Sequence, residues 1–197
     1  MQRLAAGLAV LVVSMSLVPA EGAILGFDDV TTDGYLLIPD GYGNLDWDEM
    51  AVLKTTGQGN GYENGTVSGE YVAFNNAAHV ATVSDTAFDF LGAHLAAAYY
   101  DGLQVEVRGF LAGTEVYSVT VGVDTTGPVR YDFNFWNIDQ LTFKSYKGAF
   151  PSQFAMDDFE YNEEPDPTQG AVPEPTTLVI WSLLGTIGLI YWRRRSV

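Results

Sequence analysis

Hydrophobic and polar residues alternate with a period of two over much of the chain between residues 24 and 161. Leu103, Val105 and Val107 alternate with polar neighbours, and the segments 117–123 and 131–135 show the same pattern. Because successive side chains of a strand point to opposite faces, this alternation predicts half-buried β-strands. Further strands are predicted at 23–27, 50–53, 71–75, 78–83, 88–91, 93–98, 141–143 and 154–161.

The number and spacing of these strands predict the fold class. About ten short strands, with turn residues every ~8 to 12 positions, indicate an all-β fold, an antiparallel β-sandwich of jelly-roll type. Residues 112–114 predict a hairpin loop, and the Gly-rich segment 57–69 predicts a long loop. The first and last strands of a sandwich often lie side by side, so we expect 23–27 to pair with 154–161.

The first 23 residues have the composition of a signal peptide. Arg3 is followed by an apolar run from 4 to 18 and then by small residues. This order is typical of a secretory signal, and the run is too short to span a membrane as an ordinary helix. We therefore expect residues 1–23 to direct export, with cleavage after Ala20 or Ala23.

The C-terminal residues contain a second apolar segment. There are 18 uncharged residues from Pro175 to Trp192, and at ~1.5 Å each they span roughly 27 Å, close to the thickness of a hydrocarbon core. This predicts one transmembrane helix over 176–192, and Arg193, Arg194 and Arg195 predict that its end stays in the cytoplasm. The acidic, Pro-rich segment 162–171 predicts an extended spacer between the helix and a folded body over 24–161.

This tail, residues 172–197, resembles the PEP-CTERM sorting signal of exported bacterial proteins. Pro173, Glu174 and Pro175 supply the motif, and the helix and the three arginines follow it. The resemblance implies that an exosortase, a membrane-embedded cysteine protease, processes the tail in Gram-negative bacteria that make exopolysaccharide and biofilm. It also implies a membrane-anchored precursor that crosses the inner membrane and ends at the cell surface or in the medium.

The body resembles the β-rich ectodomains that commonly carry such tails. The resembling segments are 26–29, 43–48 and 154–159. This resemblance implies a sandwich like that of a carbohydrate-binding module.

The charge of the body excludes one class of partner. Between residues 24 and 170 there are 23 acidic and five basic residues, a formal charge of 5 − 23 = −18. Such a surface repels phosphate backbones, so we expect no nucleic-acid partner. The sequence contains no Cys, which excludes disulfides, thiolate catalysis and Cys-ligated zinc.

Motifs for catalysis are missing from the sequence. His79 and His94 fall in predicted strands, and there is neither an H-E-x-x-H nor a G-x-S-x-G motif. Asp46, Asp48 and Glu49 are the first candidates for the paired carboxylates of a glycosidase. In a body with so many acidic residues, most carboxylates are solvated surface groups, and we predict that the protein is not an enzyme.

Two acidic pairs suggest a calcium site. Pairing of the first and last strands would bring Asp28 and Asp29 close to Asp157 and Asp158. Four carboxylates at such distances repel unless a cation or protons intervene, and Ca²⁺ prefers oxygen ligands of this kind. These residues therefore predict one Ca²⁺ ion as the only cofactor. The alternative is that one Asp of each pair points outward and the other caps a turn.

Trp47 is the first candidate for a residue that stacks on a sugar ring. It lies between Asp46 and Asp48 after a Gly-rich turn, and we expect it to be partly exposed. Other aromatic residues near polar segments are Tyr42, Tyr62, Tyr99, Tyr100 and Trp136.

The sequence thus favours an exported, exosortase-sorted protein with a binding or structural role in an exopolysaccharide or biofilm matrix. The alternative is a calcium-dependent carbohydrate-binding module. A glycan-active enzyme is the less favoured third hypothesis.

Overall fold

The structure, a computed structural model, describes residues 22–30, 33–146 and 151–163. Strands dominate these residues: β1 (Ala23–Leu25), β2 (Tyr35–Leu37), β3 (Asp46–Asp48), β4 (Met50–Lys54), β5 (Tyr71–Asn75), β6 (Ala81–Ala97), β7 (Leu103–Leu111), β8 (Thr114–Val123), β9 (Val129–Tyr146) and β10 (Phe154–Glu163). One short helix, α1 (Gly61–Asn64), and a 3-10 turn at Asn76–Ala78 complete the described elements.

The strands form one continuous antiparallel sheet of ten strands. Their hydrogen-bonded order is β2-β4-β5-β10-β6-β9-β7-β8, with β1 paired to β10 and β3 paired to β6. The prediction of an all-β antiparallel fold is therefore confirmed. The expected pairing of the first and last strands is also confirmed, because Ala23 lies opposite Tyr161 and Leu25 opposite Phe159.

Two strands are far longer than the sequence pattern predicted. β6 has 17 residues and β9 has 18, whereas the alternation divided each into shorter pieces. The reason is a set of β-bulges: the pairs Phe88 with Ile138 and Phe90 with Phe135 leave one extra residue on β9. A bulge shifts the phase of the alternation, so one long strand looks like two in sequence.

Gly92 lies inside β6, where the sequence suggested an interruption. A Cβ at this position would come within 2.4 Å of the backbone oxygen of Tyr131 on β9. Glycine in a strand often marks such a close backbone approach. The glycine that divides this segment into two predicted strands thus allows the two long strands to pair.

Phe90 lies at the centre of the main hydrophobic core. Its ring stacks on Phe159 at 4.8 Å and on Phe133 at 5.0 Å between ring centroids, and it meets Phe143 edge-on at 5.9 Å. The same cluster contains buried side chains from strands near both ends of the sheet order: Val52, Ala73, Val105 and Val121. The sheet therefore curves around a single core.

A smaller apolar cluster lies on the opposite side of β4, β5, β10 and β6, beneath α1. Tyr62 of α1 is buried there and meets Phe74 edge-on at 5.5 Å between ring centroids. The helix approaches closely because Gly61 has no side chain: a Cβ would lie 1.7 Å from the Ala97 carbonyl oxygen. Asn60 caps the helix by accepting a hydrogen bond from the Tyr62 N–H. The Gly-rich segment predicted as a loop thus contains a short helix that covers this cluster.

β2 and β3 were not predicted, and each has only three residues. Strands of this length are too short for alternation to be visible in sequence. β2 lies at one edge of the sheet, beyond β4, and its three side chains, Tyr35, Leu36 and Leu37, are all exposed.

Within the three described ranges, no helix is long and apolar enough to cross a membrane. The predicted helix over 176–192, the motif at 173–175 and residues 1–21 of the predicted signal peptide lie outside those ranges. β10 continues to Glu163, so the first two residues of the predicted spacer belong to the sheet.

Two tryptophans provide a matched test of this core. Trp47 is 6% exposed and Trp136 is 50% exposed. We expect Trp47→Ala to lower the free energy of unfolding by about 3–5 kcal/mol, because it leaves a cavity among packed rings. Trp136→Ala should change it by no more than about 0.5 kcal/mol. Urea unfolding of both variants checks this, and equal losses would contradict the packing described above.

Candidate functional site

A continuous polar surface covers the side of the sheet that faces away from the main core on five adjacent strands. Along β7 the buried residues Leu103, Val105 and Val107 alternate with half-exposed ones, as the sequence predicted. We name the outward positions of β3, β6, β9, β7 and β8 the polar sheet face: Asp46, Asp48, Thr82, Ser84, Gln104, Glu106, Arg108, Phe110, Glu115, Ser118, Thr120, Gln140, Thr142, Lys144 and Tyr146.

The strand register aligns these side chains in rows across the sheet. One row follows successive Cα partners through Asp48, Thr82, Thr142, Arg108 and Ser118. The next row follows Asp46, Ser84, Gln140, Phe110 and Glu115. With strands ~4.8 Å apart, each row extends over roughly 19 Å. Hydroxyl, amide and carboxylate groups therefore repeat at regular spacing over a surface wider than one small ligand.

Arg108 is held in the middle of this face by two carboxylates. Its Nη2 donates to Glu106 Oε1 at 2.7 Å, and its Nη1 lies 3.3 Å from Glu115 Oε2. The hydrogen bond to Glu106 is the main reason that the pKa of Arg108 is raised. The guanidinium group is thus fixed in orientation and charge while its side chain remains partly exposed.

Two aromatic side chains interrupt the polar groups. Tyr146, at the end of β9, is 40% exposed, and its hydroxyl lies 3.5 Å from the Thr120 hydroxyl of β8. Phe110 is half-buried near the end of β7. An aromatic ring offers an apolar surface, and the neighbouring hydroxyls and amides donate and accept hydrogen bonds. Together they can bind a ligand that has both apolar faces and many hydroxyl groups.

The candidate glycosidase carboxylates are only partly brought together. Asp46 and Asp48 both point outward from β3 onto the polar sheet face. Glu49 lies at the turn into β4, with a left-handed φ of 53°. Its carboxylate accepts from the Asn76 side chain at 2.9 Å and lies 3.1 Å from His79 Nδ1. These contacts, the one with Asn76 first, lower the pKa of Glu49.

Asp157 is fully buried beneath a loop ahead of β5. Its Oδ2 accepts from the N–H groups of Val67 at 2.7 Å and Ser68 at 2.9 Å, and its Oδ1 accepts from the N–H of Asp158 at 2.8 Å. Burial raises the pKa of Asp157 even though these hydrogen bonds act in the opposite direction. This carboxylate therefore attaches the loop to the last strand.

The other three residues of the predicted calcium site lie around the same loop or point away from it. Asp158 accepts from the Ser68 hydroxyl at 2.9 Å, and Asp28 accepts from the Glu70 N–H at 2.7 Å. Asp29 instead accepts from the Tyr42 hydroxyl at 2.7 Å. Burial and the contact with Asp29 raise the pKa of Tyr42.

The four carboxylates of the predicted calcium site accept hydrogen bonds from other groups of the protein. Across the described residues, no group of three or more His, Cys, Asp or Glu side chains is placed to hold a metal. Several oxygens that Ca²⁺ would need accept hydrogen bonds from N–H and hydroxyl groups, and such a site takes six to eight oxygen ligands. Binding of Ca²⁺ by Asp28, Asp29, Asp157 and Asp158 stays a prediction.

The prediction that Trp47 is exposed is wrong. The ring lies inside the core, meets Phe159 at 5.4 Å between centroids, and donates from Nε1 to the Tyr42 carbonyl at 2.8 Å. It turns inward because its cross-strand partner is the buried Val83. A ring in this position cannot stack on a sugar. Other aromatic candidates, Tyr99, Tyr100 and Trp136, are exposed, whereas Tyr62 is buried.

The amino-acid sequence indicates parts of the polar sheet face but not how they come together. The alternation in β7 already separated Gln104, Glu106 and Arg108 from the core. The alternation does not give the strand order. β3 pairs with β6 and β9 pairs with β7, and each pairing joins residues that are distant in sequence. A correct prediction that β9 and β7 pair would have brought Tyr146 next to Gln104.

Asp157 makes stability depend on pH in a defined direction. A raised pKa means that the folded state binds the proton more readily, so this residue's contribution is present below the ordinary pKa of Asp and is lost as pH rises through the raised value. We expect the stability difference between the parent and Asp157→Asn to be largest at acid pH and to narrow as pH increases. Urea unfolding of both proteins over a pH series measures this difference in the free energy of unfolding. A difference that widens with pH would contradict the assignment.

No protein-family model matches the sequence, and no curated protein matches it either. Among solved structures, the chain is similar to the carbohydrate-binding module TmCBM61 in complex with β-1,4-galactotriose, with 14% identity, 71% of this chain and 94% of that chain covered, and a TM-score of 0.39. It is also similar to the N-terminal CBM22-1–CBM22-2 tandem domain of Paenibacillus barcinonensis Xyn10C, with 10% identity, 82% of this chain covered and a TM-score of 0.43. The alignment spans about half of that tandem domain, 51% of its length.

Proposed function

We propose that the body of this protein is a non-catalytic, glycan-binding domain that acts outside the cell. The observation that carries the proposal is the polar sheet face: five strands that present hydroxyls, amides, a fixed guanidinium and two aromatic rings on one surface. Sugars have apolar ring faces bordered by hydroxyl groups, so they match an aromatic ring that lies beside hydrogen-bonding side chains. Binding of exopolysaccharide would give the protein its role in an extracellular matrix.

We also infer that the curved sheet closes over its core as the two layers of a jelly-roll-like sandwich. The support is the single core that receives side chains from β4 and β5 at one end of the strand order and from β7 and β8 at the other. The long strands β6 and β9 would then run from one layer into the other.

The charge distribution favours a neutral glycan. The polar sheet face carries Asp46, Asp48, Glu106 and Glu115 but only Arg108 and Lys144 as cations, and the body as a whole is strongly acidic. Polysaccharides with carboxylate or sulfate groups would be repelled over long distances. Binding of a neutral chain would depend little on ionic strength, because no charged groups of the ligand are screened.

For the destination of the protein, we propose export and exosortase-dependent sorting. The support is the sequence alone: the apolar run at the N-terminus, the motif of Pro173, Glu174 and Pro175, the apolar segment 176–192, and the arginines that follow it. In this proposal the precursor is anchored in the inner membrane with its glycan-binding body outside. Processing of the tail then releases the body to the cell surface or the medium.

Binding is tested by calorimetry with cellohexaose, xylohexaose and mannohexaose as neutral probes and with hexagalacturonate as an acidic probe. We expect at least one neutral probe to bind, with similar affinity at low and high salt. Tyr146→Ala and Arg108→Ala should each weaken binding about tenfold, because one removes the exposed ring and the other a charged hydrogen-bond donor.

Tyr35→Ala is the matched control for these variants. Tyr35 is also an exposed tyrosine, but it lies on β2 at the other end of the strand order. The Tyr35→Ala variant should bind the probes as the parent does. Melting curves show whether each variant folds. No binding of any neutral probe, or equal losses in Tyr35→Ala and Tyr146→Ala, would exclude the polar sheet face as the site.

Sorting is tested by mass spectrometry of the mature protein from a host that has an exosortase. We expect the mature chain to lack the residues that follow Pro175. Replacing Pro173, Glu174 and Pro175 with alanine should prevent processing, so that the mature protein keeps its full-length tail. A mature protein that retains Arg193, Arg194 and Arg195 would contradict this proposal without affecting the glycan-binding proposal.

A further inference from the structure

Trp136 is a large aromatic side chain that the fold places in solvent. It is 50% exposed, although its neighbours Phe135 and Ile138 on the same strand are buried. Regular alternation would put residues 135 and 138 on opposite faces of β9. The bulge between the pairs Phe88 with Ile138 and Phe90 with Phe135 keeps both inside and turns residues 136 and 137 outward.

The bulge that exposes Trp136 is held by specific contacts. Asn137 adopts a left-handed φ of 52°, which non-glycine residues seldom use, and its N–H donates to Asp89 Oδ1 at 2.7 Å. On the core side, the Phe135 ring stacks on Tyr117 at 4.7 Å between centroids, with the planes 7° apart. Trp136 is therefore displayed by a rigid strand and not by a loose loop. Backbone strain that surrounding contacts maintain is often found at functional sites.

Trp136 lies on β9, the strand that also carries four residues of the polar sheet face. The solvent side of β9 carries Trp136, then Gln140, Thr142 and Lys144, and ends with Tyr146. The two aromatic residues are ten positions apart in sequence, so they lie roughly 30 Å apart along the strand. Gln140, Thr142 and Lys144, which carry amide, hydroxyl and amino groups, lie between them on the strand.

We infer that Trp136 is a stacking residue at one end of the glycan-binding surface and that the ligand is an extended neutral oligosaccharide chain aligned with β9. This inference rests on the proposed function and deepens it. Tyr146 contacts the chain near the other end of the strand, and the polar side chains between the two rings bind its hydroxyl groups. Only a chain of several sugars engages both aromatic rings, so affinity rises with chain length.

The test compares the parent, Trp136→Ala, Trp136→Phe and Tyr146→Ala by calorimetry with cellohexaose, xylohexaose and mannohexaose and with the corresponding disaccharides. In the parent, we expect the hexasaccharide that binds to do so at least about tenfold more tightly than its disaccharide. Trp136→Ala should lose about tenfold in hexasaccharide affinity, and Trp136→Phe should retain most of it, because an aromatic ring remains.

Tryptophan fluorescence gives a second readout that a merely structural role would not change. The sequence has four tryptophans, and Trp47 is already buried, so it should not respond to ligand. We expect the bound hexasaccharide to shift the emission of the parent to shorter wavelength and to leave the emission of Trp136→Phe unchanged.

The outcomes separate this inference from the proposed function. If Trp136→Ala binds hexasaccharides like the parent while Tyr146→Ala does not, the inference is overturned and the proposed glycan-binding face stands. If hexasaccharides and disaccharides bind equally well, the extended ligand is overturned. If no neutral probe binds the parent, the proposed function fails and this inference fails with it.

Discussion

The packing of aromatic rings around Phe90 decides which side chains of the sheet face solvent. Rings from β9 and β10 hold Phe90 from several sides, and a shift of one residue in any of these strands would turn its whole apolar set away from the core. The register of the long strands is therefore fixed by the core. Once the inward positions are fixed, the outward positions of the polar sheet face are fixed as well.

On the other side of the sheet, a hydrogen-bonded carboxylate fixes the position of a loop. Asp157 accepts hydrogen bonds from two consecutive backbone N–H groups in the loop at 67–68, and α1 covers the apolar cluster further along the same side. A buried carboxylate is costly unless it is hydrogen-bonded. The chain satisfies Asp157 with backbone donors, and this gives a glycine-rich loop a defined position.

The limits of several shorter strands could be predicted from sequence, and those of the two longest strands could not. β5 was predicted with its observed limits as a short, fully buried segment, and β7 by its alternating apolar positions. β6 and β9 were divided into pieces because bulges change the phase of their alternation. The exposure of Trp47 was predicted wrongly because Val83, its cross-strand partner, is distant in sequence. Asp157 and Asp158 are adjacent residues of the same type, and the loop that covers Asp157 lies about ninety positions away in sequence.

The short edge strand β2 has consequences for how the protein behaves at high concentration. Its exposed Tyr35, Leu36 and Leu37 present an apolar strip, and β2 is the last strand of the sheet order within the described residues. Neither Pro nor Lys interrupts this strip. Mutual repulsion between acidic bodies keeps two such edges from meeting in neutral solution. Acidification weakens this repulsion by protonating the carboxylates, so low pH favours contact between two such edges.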